Sequence, residues 1–222
     1  MYQLLESGNA FDTGSLKNCW SNHKLYNSLH KIFVHRLSTE VRLSSSNALV
    51  RSNQAEKPPI YKLGKNEKLA QKISDYFYQA FGVDLVVNRN EMMNIPLHVG
   101  KAPDKTAFTI NEQDDYYQLV AELPKLHEQG DGMRSFASIL LNTFTSDYSI
   151  TLIDEPEAFL HPPQANIMGR IIGKTLRENQ QAFISTHSEE IIKGLLDVCP
   201  ERVKIVRITR EEDVNEFSVL EN

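Results

Sequence analysis

Cysteine is almost missing from this chain: Cys19 and Cys199 are the only two among 222 residues, they lie far apart, and neither has a C-x-x-C partner. That excludes a disulfide framework, gives no support to a zinc site, and suits a reducing cytoplasm. Long apolar runs are also lacking, with nothing near the roughly 18 residues that a membrane span needs. The N-terminus, polar and carrying Glu6 and Asp12, does not read as a signal peptide. These absences predict a cytoplasmic chain with no direct membrane insertion. There is no basic excess either. The formal net charge is -5, which argues against a surface coated for nucleic acid while leaving room for a local patch. Lys62, Lys65, Lys68 and Lys72 form one basic cluster, whose ordinary reading is a solvated helix face. Internal repeats and low-complexity tracts are absent.

What is present is enough apolar material for one substantial core, or one large and one small lobe. Residues 1–22 are polar and without period, and read as loop with at most a short helix. Leu25, Leu29, Ile32 and Phe33 have helical spacing, while Ile32–Leu37 serves equally as a strand. Ser44–Pro59 reads as loop. Asn66–Phe81 is an amphipathic helix with Leu69, Ile73, Tyr76, Phe77, Ala80 and Phe81 on one stripe and Gly82 as its stop. Extended segments near Val83–Val87, Ile95–Val99 and Thr106–Ile110 suggest an antiparallel meander, and Tyr116–Leu123 a brief helix ended by Pro124.

The pattern changes toward the C-terminus. A helix through Met133, Phe136, Ala137, Leu140, Leu141 and Phe144 precedes the run Ser149–Asp154; a second begins at Pro162-Pro163; Gln181–Ser185 is a strand; Ser188 caps a helix through Leu196. Strands at Val203–Ile208 and Glu216–Leu220 follow. Alternating strands and helices predict an α/β fold with a mainly parallel sheet flanked by helices and a site at the carboxyl ends of its strands. A smaller helical and antiparallel β portion precedes it. The expected division is residues 1–127 and residues 128–222.

Three features fall at strand ends or helix starts. A β-branched, apolar run ends in two adjacent carboxylates and a proline, Leu152-Ile-Asp-Glu-Pro156. Buried charge is expensive without partners or work, so Asp154 and Glu155 read as a metal-and-water site. Gly130-Asp-Gly-Met-Arg-Ser135 puts two glycines ahead of a helix, where free N–H groups and the helix dipole favour phosphate, although such a segment is often only a turn. Ala182-Phe-Ile-Ser-Thr-His187 ends a strand in a histidine, 33 positions after Asp154.

In this order and spacing the three resemble the nucleotide-binding domains of the ABC and SMC/RecF-like P-loop ATPases. Gly130–Arg134 resembles a divergent signature loop, Leu152–Glu155 the Walker B strand, Ala158–His161 the D-loop, and Ser185–His187 the switch-histidine strand. The wording Asp-Glu-Pro-Glu-Ala-Phe-Leu-His-Pro with Ser-Thr-His-Ser is most similar to AAA-type ATPases that include the OLD family and ATPase subunits of anti-phage systems. The resemblance covers Glu128–Leu196. It implies ATP and Mg2+ as cofactors, Asp154 as the metal ligand, Glu155 and His187 as catalytic residues, and Gly130, Gly132, Arg134 and Ser135 facing nucleotide across a homodimeric ATP sandwich. It further implies DNA or a nuclease as partners, and a role in DNA processing or anti-phage defence.

One part is missing. A phosphate-binding loop needs G-x-x-x-x-G-K-[ST], and Gly64-Lys65 and Gly100-Lys101 lack the upstream glycine and the hydroxyl. Gly169-Arg-Ile-Ile-Gly-Lys-Thr175 is one residue short and falls inside a helical pattern. The expectation is therefore an ATPase core that begins after its Walker A loop, with Ile32–Leu43 as a strand and loop following the missing loop and helix, inactive alone. The alternative is a non-catalytic, degenerate ATPase module that dimerises or docks a nuclease or repair partner. A transporter subunit is disfavoured, because the signature departs from Leu-Ser-Gly-Gly-Gln.

Overall fold

A computed structural model describes residues 5–6, 9–10, 34–45, 49–50, 59–90, 94–109, 112–145, 148–211 and 214–220. Its strands are β1 Leu5–Glu6, β2 Asn9–Ala10, β3 Val34–Leu37, β4 Leu49–Val50, β5 Asp84–Val87, β6 Asn94–Ile95, β7 Leu97–Gly100, β8 Ile150–Asp154, β9 Gln181–Ser185, β10 Ile205–Glu211 and β11 Val214–Leu220. Its helices are α1 Thr39–Ser45, α2 Pro59–Lys65, α3 Glu67–Phe81, α4 Gln113–Ala121, α5 Asp131–Thr145, α6 Pro162–Thr175 and α7 Glu189–Leu196. The expectations for residues 1–22 and 25–33 lie almost wholly outside the described residues.

The centre is a parallel sheet in the order β3-β8-β9. Arg36 pairs with Leu152 and Leu152 with Phe183, so these residues share one face, while Leu37, Ile153 and Ile184 share the other. Side-chain alternation in a strand decides what each face does. The second face packs on α5 and α6: Leu37, Ile153, Phe136, Leu140, Met168 and Ile172 are all 3 % exposed or less and belong to one core. The first face is open, and Phe183 is 59 % exposed.

α3 forms as its sequence requires. Asn66 in extended conformation accepts the Leu69 N–H, Gly82 takes φ 70 at the C-cap, and Ile73 and Phe77 are fully buried. Phe77 and Phe81 meet the edge of Phe136 on α5, so the antiparallel β5–β7 portion shares the core of the parallel sheet. The segment from Thr106 departs from the expected third strand. Asp104 accepts the Thr106 N–H and hydroxyl and caps a 3-10 turn at Lys105–Ala107 instead, a local side-chain bond that competes with strand formation. Ile32–Leu37 resolves as strand β3 over Val34–Leu37, and the stretch after it forms helix α1 in place of loop.

Gly169 and Gly173 lie within α6, not in a phosphate loop. A Cβ on Gly169 would meet the Ile191 carbonyl oxygen at 2.3 Å, and one on Gly194 the Asn166 carbonyl oxygen at 2.2 Å. These glycines let α6 and α7 touch backbone to backbone. Among the described residues β10 and β11 pair only with each other, antiparallel. Their register sets Val206 opposite Val219 and Ile208 opposite Phe217, all at least half exposed.

Candidate functional site

Three backbone turns meet at the carboxyl edge of the parallel sheet. Asp154 ends β8 beside Ser185 at the end of β9, and the Ser185 hydroxyl donates to Asp154 Oδ1 at 2.7 Å. The Glu155 N–H continues the ladder to the Ser185 carbonyl at 2.8 Å. Glu155 then leaves the strand with φ 45, and Phe159 has φ 69. Between them a tight turn closes through Ala158 N–H to Glu155 O and Leu160 N–H to Glu157 O. The side chain of Glu155 is 53 % exposed and that of His187 is 78 % exposed, so both face solvent at this edge.

Glu157 was not anticipated, and it is the residue that joins the two. Its side chain is only 8 % exposed. Oε1 accepts the His187 backbone N–H at 3.0 Å and lies 3.2 Å from His187 Nδ1, while Glu155 Oε1 lies 3.7 Å from the same nitrogen. Glu157 Oε2 is buried without a hydrogen-bond partner among the described residues. A carboxylate against Nδ1 favours the ring proton there and leaves Nε2 toward solvent. The signal was the second acid of Glu-Pro-Glu, which lies outside the adjacent pair.

Beneath the acids lies Arg42, fully buried. Its guanidinium donates to Leu37 O at 3.0 Å, Asp154 O at 2.5 Å, Glu155 O at 3.0 Å, Thr39 Oγ1 at 3.1 Å and Ser135 Oγ at 2.9 Å. Burial pushes Arg42 below its ordinary value, and the charges of Asp154, Glu157 and Glu155 oppose that shift. This one side chain ties β3, α1 and α5 to the acid turn. No sequence pattern marks it, because three of its five partners lie 93 to 113 positions away.

The glycine segment divides. Gly132, in the first turn of α5, stands where a Cβ would meet the Phe159 carbonyl oxygen at 2.5 Å, so the helix start presses on the turn after Glu155. Gly130 has open space around its missing Cβ. Ser135 is fully buried and its hydroxyl accepts from Arg42, and Arg134 bonds Asp131 at 3.0 Å and the Leu43 carbonyl at 3.0 Å. Asp154, Glu155 and His187 are thus brought together; Gly132 adjoins their turn; Ser135 and Arg134 point into the fold's own bonding.

Asp154 and the Ser185 hydroxyl supply hard oxygen donors at an open edge, and no group of three or more His, Cys, Asp or Glu among the described residues forms a ready-made metal cage. That donor set fits Mg2+, which takes one or two carboxylates and fills its octahedron with water and substrate phosphate.

Comparisons with known proteins give partial likenesses. Residues 106–192 match the family model for the AAA ATPase domain. An uncharacterized protein of Methanocaldococcus jannaschii is 38 % identical over 69 residues, which are 31 % of this chain. The chain spans 60 % of that relative's length. Among solved structures, an SMC ATPase described for ATP-driven dimerization and DNA-stimulated activation has a TM-score of 0.49 at 12 % identity, covering 73 % of this chain and 89 % of that one. The Smc head domain of Pyrococcus furiosus, with an extended coiled coil and bound to the C-terminal domain of ScpA, gives 0.49 at 12 % identity, covering 93 % and 44 %. Among the described residues no helix is long and apolar enough to cross a membrane. Over residues 106–192 the chain is therefore similar to the AAA ATPase domain.

Proposed function

We propose that the acid turn is the hydrolytic half of an ATP site. The reading rests on one observation: Glu157 holds His187 beside Glu155, one residue from Asp154, whose carboxylate is oriented by Ser185. Asp154 would hold Mg2+, which when bound would neutralise charge on phosphate oxygens. Glu155 is exposed and orients the attacking water. His187, with its Nδ1 proton toward Glu157, presents Nε2 to the terminal phosphate. Gly132 fixes the start of α5 against this turn, from where Gly130 and its neighbours meet nucleotide held by a second subunit in a homodimeric sandwich. DNA processing or anti-phage defence, with a nuclease partner, is the biological setting this reading favours, in the cytoplasm.

The 222 residues hold no G-x-x-x-x-G-K-[ST] sequence, so positioning of the phosphates is lacking in this chain by itself. The purified chain is expected to bind Mg-ATP weakly and turn it over negligibly. Joined to a phosphate-binding loop encoded upstream in frame, it is expected to hydrolyse ATP, with Glu155→Gln abolishing turnover. Tight Mg-ATP binding by the chain alone, with turnover lost in Glu155→Gln, would overturn the inactivity; full turnover by Glu155→Gln in the joined protein would overturn the site. The missing loop favours the second reading, a non-catalytic module. Coding sequence upstream without such a loop would select it.

A further inference from the structure

Arg42 is fully buried, and it spends its five hydrogen bonds on neutral atoms: the carbonyls of Leu37, Asp154 and Glu155 and the hydroxyls of Thr39 and Ser135. None of the five is a carboxylate. Neutral donors could satisfy such atoms without the desolvation that pushes Arg42 below its ordinary value. The bonds explain the shape of this side chain; they do not explain its charge.

Three acids feel that charge. Asp154, Glu157 and Glu155, in that order, oppose the effect of burial on Arg42, and each acts across space. Nη1 and Nη2 reach the backbone carbonyls of Asp154 and Glu155 at 2.5 and 3.0 Å, so the positive charge stands under two residues whose side chains are exposed at the sheet edge. Glu157, 8 % exposed and with Oε2 lacking a partner among the described residues, is a buried carboxylate that the same field helps to tolerate.

We propose that Arg42 is a specificity-determining residue of the acid turn: it lowers the turn's affinity for a free divalent cation and so favours metal that arrives on a polyphosphate. The inference deepens the ATP reading and rests on its assignment of Asp154 to the metal. Three carboxylates within four positions, Asp154, Glu155 and Glu157, otherwise make an attractive seat for a bare cation. A fixed positive charge roughly 7 Å from a divalent ion, in surroundings between protein and water, weakens its binding by about ten- to a hundredfold. Metal already bound to a polyphosphate is part of an anion, and the same charge attracts it. Arg42 thus acts on the cation through its field, while its hydrogen bonds hold the turn.

The test uses the whole chain without nucleotide and Mn2+ as the probe for Mg2+, with free Mn2+ counted by electron paramagnetic resonance. The parent is expected to bind Mn2+ only in the millimolar range. Arg42→Gln should bind it at least about tenfold more tightly, and Arg42→Lys, which keeps the charge, should stay within about threefold of the parent. Thr39→Asp sets a carboxylate where Arg42 Nη2 now meets the Thr39 hydroxyl; it offsets the charge without removing the arginine, and should tighten binding even if Arg42→Gln does not fold. Thr39→Asn, the uncharged match, should not. Micromolar binding by the parent, no tightening in folded Arg42→Gln or in Thr39→Asp, or equal tightening in Arg42→Lys would each overturn the proposal and leave the ATP reading standing. If Asp154→Asn, added to Thr39→Asp, leaves the gained affinity intact, the metal assignment itself fails and the proposal falls with it.

Discussion

Arg42→Met removes the charge under the acid turn while keeping comparable bulk. Five donated hydrogen bonds disappear. The Thr39 and Ser135 hydroxyls can rotate to other partners, but the Leu37, Asp154 and Glu155 carbonyls cannot. Breaking a buried charged network by removing one partner costs about 3–5 kcal/mol. Methionine recovers part of this by ending the desolvation that pushes the Arg42 pKa down, which leaves a loss of about 3 kcal/mol. With a urea dependence of about 2–3 kcal/mol per molar, the unfolding midpoint should fall by about 1–1.5 M at unchanged slope. Arg42→Lys keeps the charge and three donors and should fall about half as far. Urea titration followed by far-ultraviolet circular dichroism reads both. A methionine variant within about 0.3 M of the parent would refute the view that this side chain holds β3, α1, α5 and the acid turn together.

Two further expectations need only thermal or chemical melts. Gly132→Ala forces a methyl against the Phe159 carbonyl and should destabilise by about 1–3 kcal/mol, whereas Gly130→Ala, facing open space, should change stability by less than about 0.5 kcal/mol. Hydrogen bonds from Thr106 and Thr109 hold the carboxylates of Asp104 and Glu112 below their ordinary 3.8 and 4.5. The folded chain therefore binds those protons less readily than the unfolded one, and the stabilisation, full above the ordinary values, is lost as pH falls through the lowered ones. Asp104→Asn with Glu112→Gln should flatten the acid limb of melting temperature against pH; an unchanged limb would refute the assignment.

Where local chemistry decides structure, the sequence was readable. The Asn66 cap, the Gly82 stop and the stripe between them predict α3 almost to the residue, and Ser188 does the same for α7. β9 and the acid end of β8 were legible because each run is short, apolar and abruptly ended, although one face of both strands is left open in the fold. Thr106–Ile110 was misread because the Asp104 carboxylate outbids strand propensity for the Thr106 N–H. Glu157 and Arg42 were invisible for another reason. Burial of either follows from contacts made across the chain, and neither periodicity nor spacing carries that information. The lysine cluster of the sequence lies between these cases: Lys62, Lys65 and Lys72 are local to α2 and α3, but Lys174 and Arg177 join them around one cleft only through packing.

The left-handed backbone at Glu155 and Phe159 has a consequence for how this turn trades stability for chemistry. Neither residue suits that conformation; each costs about 1–2 kcal/mol that glycine would not, and Phe159 is 55 % exposed as well. Glycine at either position would make a sturdier turn. At Glu155 it would also delete the carboxylate beside His187. The turn is thus a place where optimising for heat resistance and optimising for reactivity pull in opposite directions, and a thermostabilised version of this chain would be expected to lose its acid first.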